Sequence, residues 1–228
     1  MRDHAERARI ERFLRILGQR LHYPIRLYLV GGSIIVDLGL REATLDVDYV
    51  AEADDPRALE EFEHIVPQLK NELRINVEPA SPADFLPVPA NVLAQSAHVR
   101  SYGNVHVYYY DLPSTVISKA ARGAERDLAD IAALVTAGIV SWAEIESRWR
   151  EIRASPRGWL RHNPDDVERR LHLLRERIEG RTAAESVAGE TTPTALVRVR
   201  EYRRHDGRVV PEHSRQPPRK NPRRRPLA

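Results

Sequence analysis

Residues 29–50 read LVGGSIIVDLGLREATLDVDYV, and the pairing of features inside that stretch decides the fold. An apolar run ends in Gly31-Gly32-Ser33, and twelve residues separate Ser33 from Asp46, which is followed at one residue's remove by Asp48. In a strand through TLDVDYV, alternation sends Asp46 and Asp48 to one face and Leu45, Val47 and Tyr49 to the other. Their Cβ atoms lie roughly 6.6 Å apart by the strand rise, close enough for two carboxylates to share or bridge hard cations. The Gly-Gly-Ser sits where a strand turns into a helix. Glycines let backbone approach a ligand, and the first N–H groups of a helix are unpaired donors at a positive dipole end, which suits phosphate oxygens. Ser33 adds a hydroxyl donor and can also cap the helix that starts there. One element then holds the β- and γ-phosphates of a nucleotide and the other holds Mg²⁺, which bridges phosphate oxygens.

Each half alone has an ordinary reading. A Gly-Gly between strand and helix is commonly just a turn, and an Asp-x-Asp at a strand end is commonly solvated. Their joint occurrence in this order favours a single site. The lysine of a P-loop is absent after Gly32, and so is the G-x-G-x-x-G of dinucleotide folds.

Outward from that stretch, Ile10, Phe13, Leu14, Leu17 and Leu21 recur at helical spacing, so an amphipathic helix over residues 4–21 opens the chain. IRLYLV (25–30) reads as a strand bounded by Pro24 and the glycine pair. Residues 55–73 are expected to be helical with Leu59, Phe62, Val66 and Leu69 on one stripe, and Pro67 is expected to kink or split them. LRINVEP (73–79) is a third strand, and HVRSYGNVHVYYYD (98–111) a hairpin turning at Gly103-Asn104. The order is α-β-α-β-α-β-β-β. From Pro113 onward the pattern is helical, with a capping box in SWAE (141–144) and a helix start in NPDD (163–166), where Asn163 is the N-cap. GRTAAESVAGETTPTA (180–195) reads as a linker, LVRVREYRRHDGRVV (196–210) as a hairpin about Asp206-Gly207, and RQPPRKNPRRRPLA (215–228) as disordered. The expected class is α+β: a mixed sheet with flanking helices over residues 1–112, a helical subdomain over 113–179, and a linker with a basic, largely disordered tail over 180–228.

Of the 228 residues, 42% are apolar, which supports a globular chain. There is no apolar run of about 18 residues and no apolar stretch behind the charged N-terminus, so a cytoplasmic protein with no membrane partner is expected. No cysteine is present, which excludes thiolate chemistry and disulfides. The net charge of +3 conceals a division: residues 196–228 hold 11 Lys and Arg against 3 Asp and Glu, which leaves 25 against 30 for the rest. Such a tail has the composition of an arm for RNA phosphates, or of a solvated extension.

VGGS followed by LDVDY resembles the signature of the nucleotidyltransferase superfamily with the DNA polymerase β-like fold. LREATLDVDYV is similar to the R-x-T-x-D-(I/V)-D form of small bacterial minimal nucleotidyltransferases, among them AbiEii-type toxins of toxin–antitoxin systems. The resemblance covers residues 24–136. It implies a nucleotidyltransferase-like fold and Mg²⁺-dependent transfer of NMP from an NTP to an acceptor hydroxyl on RNA, such as a tRNA end, or on protein, with a toxin role and a cognate antitoxin as a partner. Gly31, Gly32 and Ser33 bind the triphosphate, and Asp46 and Asp48 hold the metal. A third carboxylate from a neighbouring strand is implied. Glu78 is the candidate, with Asp111 and Asp84 behind it. SKAARGAERDLADIAAL (118–134) resembles the Lys-then-Arg-Asp-x-x-Asp helices of AbiEii-like proteins, which implies catalytic roles for Lys119 and Asp127. Arg122 is a weaker candidate for the task of Lys119. The alternative there is a surface ion-pair ladder, with Arg126 pairing to Asp130.

His98 and His106 carry no metal-ligand pattern and read as structural or exposed. Tyr108, Tyr109 and Tyr110 divide between core and surface, with one free to stack on a base. Trp142 and Trp149 read as core. Two rival functions remain open: a nucleotide-binding module without catalysis, and a nucleic-acid-binding protein acting through its tail.

Overall fold

The computed structural model describes residues 4–155, 159, 161–187, 197–199, 202–203, 209–210 and 213–215. Two residues, β1 (Ala5–Glu6), precede α1 (Arg7–Arg20), which buries Ile10, Phe13, Leu14 and Leu17 on its predicted stripe. The strand β2 (Ile25–Leu29) leads through the glycine turn into the short helix α2 (Gly32–Asp37). Next come β3 (Ala43–Thr44) and β4 (Val47–Glu52). The β1–β3 pair is antiparallel and clips the N-terminus onto the loop before Asp46. Two-residue strands carry no periodicity, so neither was legible.

The next helix, α3 (Pro56–Glu72), starts at an Asp55 cap and runs unbroken through Pro67, so the expected split does not occur. Pro67 lies on the exposed side of the helix, where the carbonyl that loses its N–H partner faces water. After it come β5 (Val77–Pro79), β6 (Ala97–Tyr102) and β7 (Val105–Tyr109), with the last two joined at Gly103-Asn104 as expected. The sheet order is β5-β4-β2-β7-β6. It is mixed: β2 runs antiparallel to β4 and parallel to β7, while β5 is parallel to β4.

One face of this sheet is apolar. Ile25, Leu27, Leu29, Val47, Tyr49, Val105, Val107 and Tyr109 alternate onto it and are buried with the stripes of α1 and α3, as where Tyr49 meets Phe62 edge-on at 5.3 Å. Burying a side chain of this size stabilises by about 1.5–3 kcal/mol, so the layer is the main source of cohesion. The other face carries Asp48, Tyr28, His106 and Tyr108. Asp37, at the end of α2, is fully buried and accepts from both Arg100 terminal nitrogens (2.7 Å each) and from the Tyr109 hydroxyl (2.6 Å), which anchors α2 to the hairpin.

Four helices follow: α4 (Leu112–Arg122), α5 (Glu125–Thr136), α6 (Trp142–Arg153) and α7 (Pro164–Val187). The Ser141–Glu144 capping box forms, and Asn163 Oδ1 accepts from the Asp165 N–H at 2.9 Å. Buried residues from Ala5 to Leu174 form one continuous core, so these helices share their interior with the sheet. The linker expected from residue 180 is corrected in its first part, because α7 continues through Gly180 to Val187 in a segment rich in helix formers. Residues 188–196 and 216–228, where linker and disorder were expected, lie outside the described residues.

In the tail, β8 (Val197–Val199) pairs with β11 (His213–Arg215), and β9 (Tyr202–Arg203) pairs with β10 (Val209–Val210). Both pairings are antiparallel, and the turn expected at Asp206-Gly207 lies outside the described residues. Among the described residues no helix is long and apolar enough to cross a membrane.

Candidate functional site

The glycine turn and the acidic strand are tied by backbone before any side-chain chemistry enters. Gly31 has φ +57°, a left-handed conformation, and a Cβ added there would meet Asp48 Oδ2 at 3.4 Å. A Cβ on Gly32 would lie 2.2 Å from an Arg41 guanidinium nitrogen and 2.7 Å from Thr44 Oγ1, so that position closes against the chain leading into β4. Val30 N–H donates to Asp48 O at 2.9 Å, and Asp48 N–H donates to Ser33 Oγ at 2.8 Å.

This corrects the capping role expected of Ser33. The helix begins one residue earlier, at Gly32, with Gly31 at the N-cap and no side-chain cap, so the Ser33 hydroxyl braces Asp48 instead. Ser33 is fully buried, and its own N–H donates to Val30 O at 3.2 Å. Ser33→Ala leaves the Asp48 N–H without its acceptor and is expected to cost about 1–3 kcal/mol in urea unfolding. A loss under about 0.5 kcal/mol would show the brace to be dispensable.

The strand β4 starts only at Val47, so the alternation expected from Leu45 fails at that residue, which is 54% exposed. Asp46 and Asp48 nonetheless sit together on the open face. Parallel pairing sets Glu78 directly beside Asp48. Asn76 stands between the acids, its amide donating to Asp46 Oδ1 at 2.5 Å and to Glu78 Oε1 at 2.6 Å. The Asp48 carboxyl is pushed up to about 6 by burial first, then by the neighbouring charges of Asp46 and Glu78, with Arg122 and Lys119 pulling the other way. The two other acids considered are employed elsewhere. Asp111 caps α4 through Ser114 N–H and pairs with Arg148, and Asp84 closes a capping box with Ser81. Among the described residues no group of three or more His, Cys, Asp or Glu side chains is gathered closely enough to hold a metal ion.

Lys119 and Asp127 meet in a buried network instead of on a helix surface. The Lys119 ammonium, 2% exposed, donates to Asp127 Oδ1 at 3.0 Å and to Asp130 Oδ2 at 2.7 Å. Arg122 grips Asp127 through Nε and Nη2, and Arg41 grips both oxygens of Asp130. Burial pushes the Asp127 carboxyl up, but the bonds from Arg122 and Lys119 outweigh it and hold the group below its usual range. The expected Arg126–Asp130 pair does not form. Arg126 reaches back to Ala43 O at 3.1 Å, and Asp130 is taken by Arg41 and Lys119.

These parts surround one open cleft. Val30, Gly31 and Asp48 form its floor, Thr115, Ser118, Lys119 and Arg122 of α4 one wall, and the segment from Ala80 to Pro82 with Phe85 the other. Gly31, Asp48 and Lys119 are thus brought to a common space. Glu78 and Asp46 flank it, and Asp127 stands behind it. Reading the sequence missed Asn76 and the pairing of Arg41 with Asp130. Asn76 shares the parity of Glu78 on β5, a signal that could have found it, whereas Arg41 and Asp130 are 89 positions apart and carry none.

Away from the cleft, the Ser101 hydroxyl links His98 Nε2 (3.1 Å) and His106 Nδ1 (2.9 Å) on the surface. Tyr109 and Tyr110 are buried, while Tyr108 is half-buried and packs on Tyr28 at 4.9 Å. Trp149 is buried and Trp142 partly so.

No curated protein and no solved structure is significantly similar to the chain. Residues 9–157 match the profile of one family, a span that contains the glycine turn, the acidic strand, the third acid and helices α4 to α6. The chain therefore belongs to the family described as nucleotidyltransferase of unknown function (DUF6036).

Proposed function

We propose that the chain is a Mg²⁺-dependent nucleotidyltransferase that moves NMP from an NTP to an acceptor hydroxyl and releases pyrophosphate. The observation that carries this reading is the meeting, in one cleft, of a glycine turn, a carboxylate whose charge its surroundings leave under-compensated, and two cations on the facing helix. A hard divalent cation fits Asp46 and Asp48, because both present oxygen donors on one face and the charge of Asp48 is opposed by burial and by neighbouring acids. Asp46 and Asp48 would hold Mg²⁺, which would offset the charge that develops on the leaving pyrophosphate.

The chain's own groups do the rest. Gly31 admits the triphosphate against backbone, and Arg122 and Lys119 offer it positive charge. Asp127 is a positioning residue that holds both cations toward the cleft. The acceptor oxygen attacks the α-phosphorus, its proton passes to Glu78, and the bond from the α-phosphorus to the bridging oxygen breaks with the electron pair leaving on pyrophosphate. The positive surplus of the tail supports RNA as the acceptor.

Incubating the full chain with Mg²⁺, total RNA and each labelled NTP is expected to label an RNA species and release pyrophosphate. The double variant Asp46→Ala with Asp48→Ala is expected to do neither. Equal labelling by wild type and variant would overturn the assignment. One observation favours a second reading, nucleotide binding without transfer: the Asn76 amide already fills the space between Asp46 and Glu78. Calorimetric NTP binding with no pyrophosphate release would select it.

A further inference from the structure

We propose that the cleft is divided along α4, with a nucleoside subsite at the Thr115–Ser118 turn and the phosphates at the Lys119–Arg122 turn. The inference rests on the reading of the cleft as a nucleotide site and adds which part of the nucleotide lies where.

The first observation is a buried hydroxyl that the protein leaves unused. Thr115 is 1% exposed and its Oγ1 has no hydrogen-bond partner, although a threonine inside a helix can bond back to the carbonyl four residues earlier. Ser96 makes that kind of bond, to Val92 O at 3.2 Å. Behind Thr115, the carbonyl of Asp111 accepts only the backbone N–H, at 2.9 Å. Ser118 is 5% exposed and lines the same cleft one turn further along. Buried polar groups are nearly always satisfied, so an unpaired threonine hydroxyl in the cleft wall, with a serine one turn along, points to a partner from outside the chain.

The second observation is their place. Positions 115, 118, 119 and 122 form a single row on the helix, and all four line the cleft. The row spans roughly 10.5 Å along the axis. The polarity of its two ends differs. Lys119 and Arg122 line the cleft together with Asp48 and Gly31, which sets the phosphate end at the C-terminal turn. One turn back along α4 the cations give way to neutral hydroxyls, and Ala80, Ser81, Pro82 and Phe85 complete the lining of the cleft. Neutral hydrogen-bonding groups in a cleft that also holds Pro82 and the Phe85 ring suit a base or sugar better than free phosphate, because a ring face stacks while its polar edge bonds. Thr115 and Ser118 are therefore binding residues for the nucleoside, and Phe85 supplies its stacking face.

Calorimetry on the full chain in Mg²⁺ buffer tests this with two probes: the tightest-binding of the four NTPs, and inorganic tripolyphosphate. Thr115→Val and Ser118→Ala are each expected to raise the NTP dissociation constant about five- to tenfold and to leave that of tripolyphosphate within twofold. Removing an unsatisfied buried hydroxyl is expected to leave the melting temperature of Thr115→Val unchanged or higher, and Ser118→Ala carries the test alone if Thr115→Val does not fold. Unchanged NTP binding in both variants overturns the subsite, as does an equal loss for both probes, which would place the hydroxyls on the phosphates. A wild type that binds NTP no better than tripolyphosphate overturns the subsite but leaves the phosphate and metal reading standing. A wild type that binds neither overturns both.

Discussion

Asp48→Asn is expected to abolish nucleotidyl transfer and, in the same protein, to raise stability. Loss of a metal-holding carboxylate removes several kcal/mol of transition-state stabilisation, so the rate should fall by roughly 10³-fold or more. The stability effect follows from the sign of the shift. The folded Asp48 carboxyl is raised to about 6 from an ordinary 3.8, so folding disfavours its charged form. That penalty is absent below about pH 4, grows as pH rises through the interval, and is complete above about pH 6. Asparagine cannot ionise and escapes it. In metal-free buffer the variant should therefore match wild type near pH 4 and exceed it by about 1–3 kcal/mol at pH 8, read from urea unfolding across the pH range. Adding Mg²⁺ should stabilise wild type and leave the variant unmoved. A variant no more stable than wild type at pH 8 would contradict the electrostatic account, whatever its activity.

The second large effect separates the members of the buried network. Asp130→Ala is expected to cost about 3–5 kcal/mol, because Arg41 loses its carboxylate partner and the Lys119 ammonium keeps only Asp127. Lys119→Met is expected to cost less than about 1.5 kcal/mol. Its removal leaves Asp127 with Arg122 and Asp130 with Arg41, two cations against two anions, and methionine fills a similar volume. Equal losses in urea unfolding would show that charge balance does not govern this cluster. Transfer activity of the stable Lys119→Met variant then reports what the ammonium contributes to the triphosphate, free of any folding defect.

The parts legible in the sequence were those carried by local rules. The paired glycine turn and Asp-x-Asp strand, the capping box at Ser141 and the hairpin turn at Gly103-Asn104 each depend on neighbours within a few positions, and each is present. What escaped depends on tertiary surroundings. Whether Pro67 breaks a helix turns on which side of α3 faces water. Whether Ser33 caps a helix turns on the Asp48 N–H, fifteen positions away, competing for its oxygen. Helix spacing gave Asp127 and Asp130 a shared face but could not say that Lys119 and Arg41 would claim Asp130 before Arg126. Asn76 looked like an ordinary strand residue until parallel pairing set β5 beside β4.

The three acids are held with unequal firmness. Asp48 lies in β4, hydrogen-bonded on both sides within the sheet, whereas Glu78 belongs to a three-residue strand at the sheet margin with a neighbour on one side only. Such a margin frays at a small fraction of the free energy of global unfolding, so its amides exchange with solvent long before those of β2 and β7. Fraying there is expected to withdraw Glu78 while Asp48 stays paired within β4, and hydrogen exchange should then report opening at residues 77–79 within an otherwise folded chain. A ligand that contacts Glu78 or Asn76 closes the margin and is recorded as slower exchange there, well away from its own phosphates.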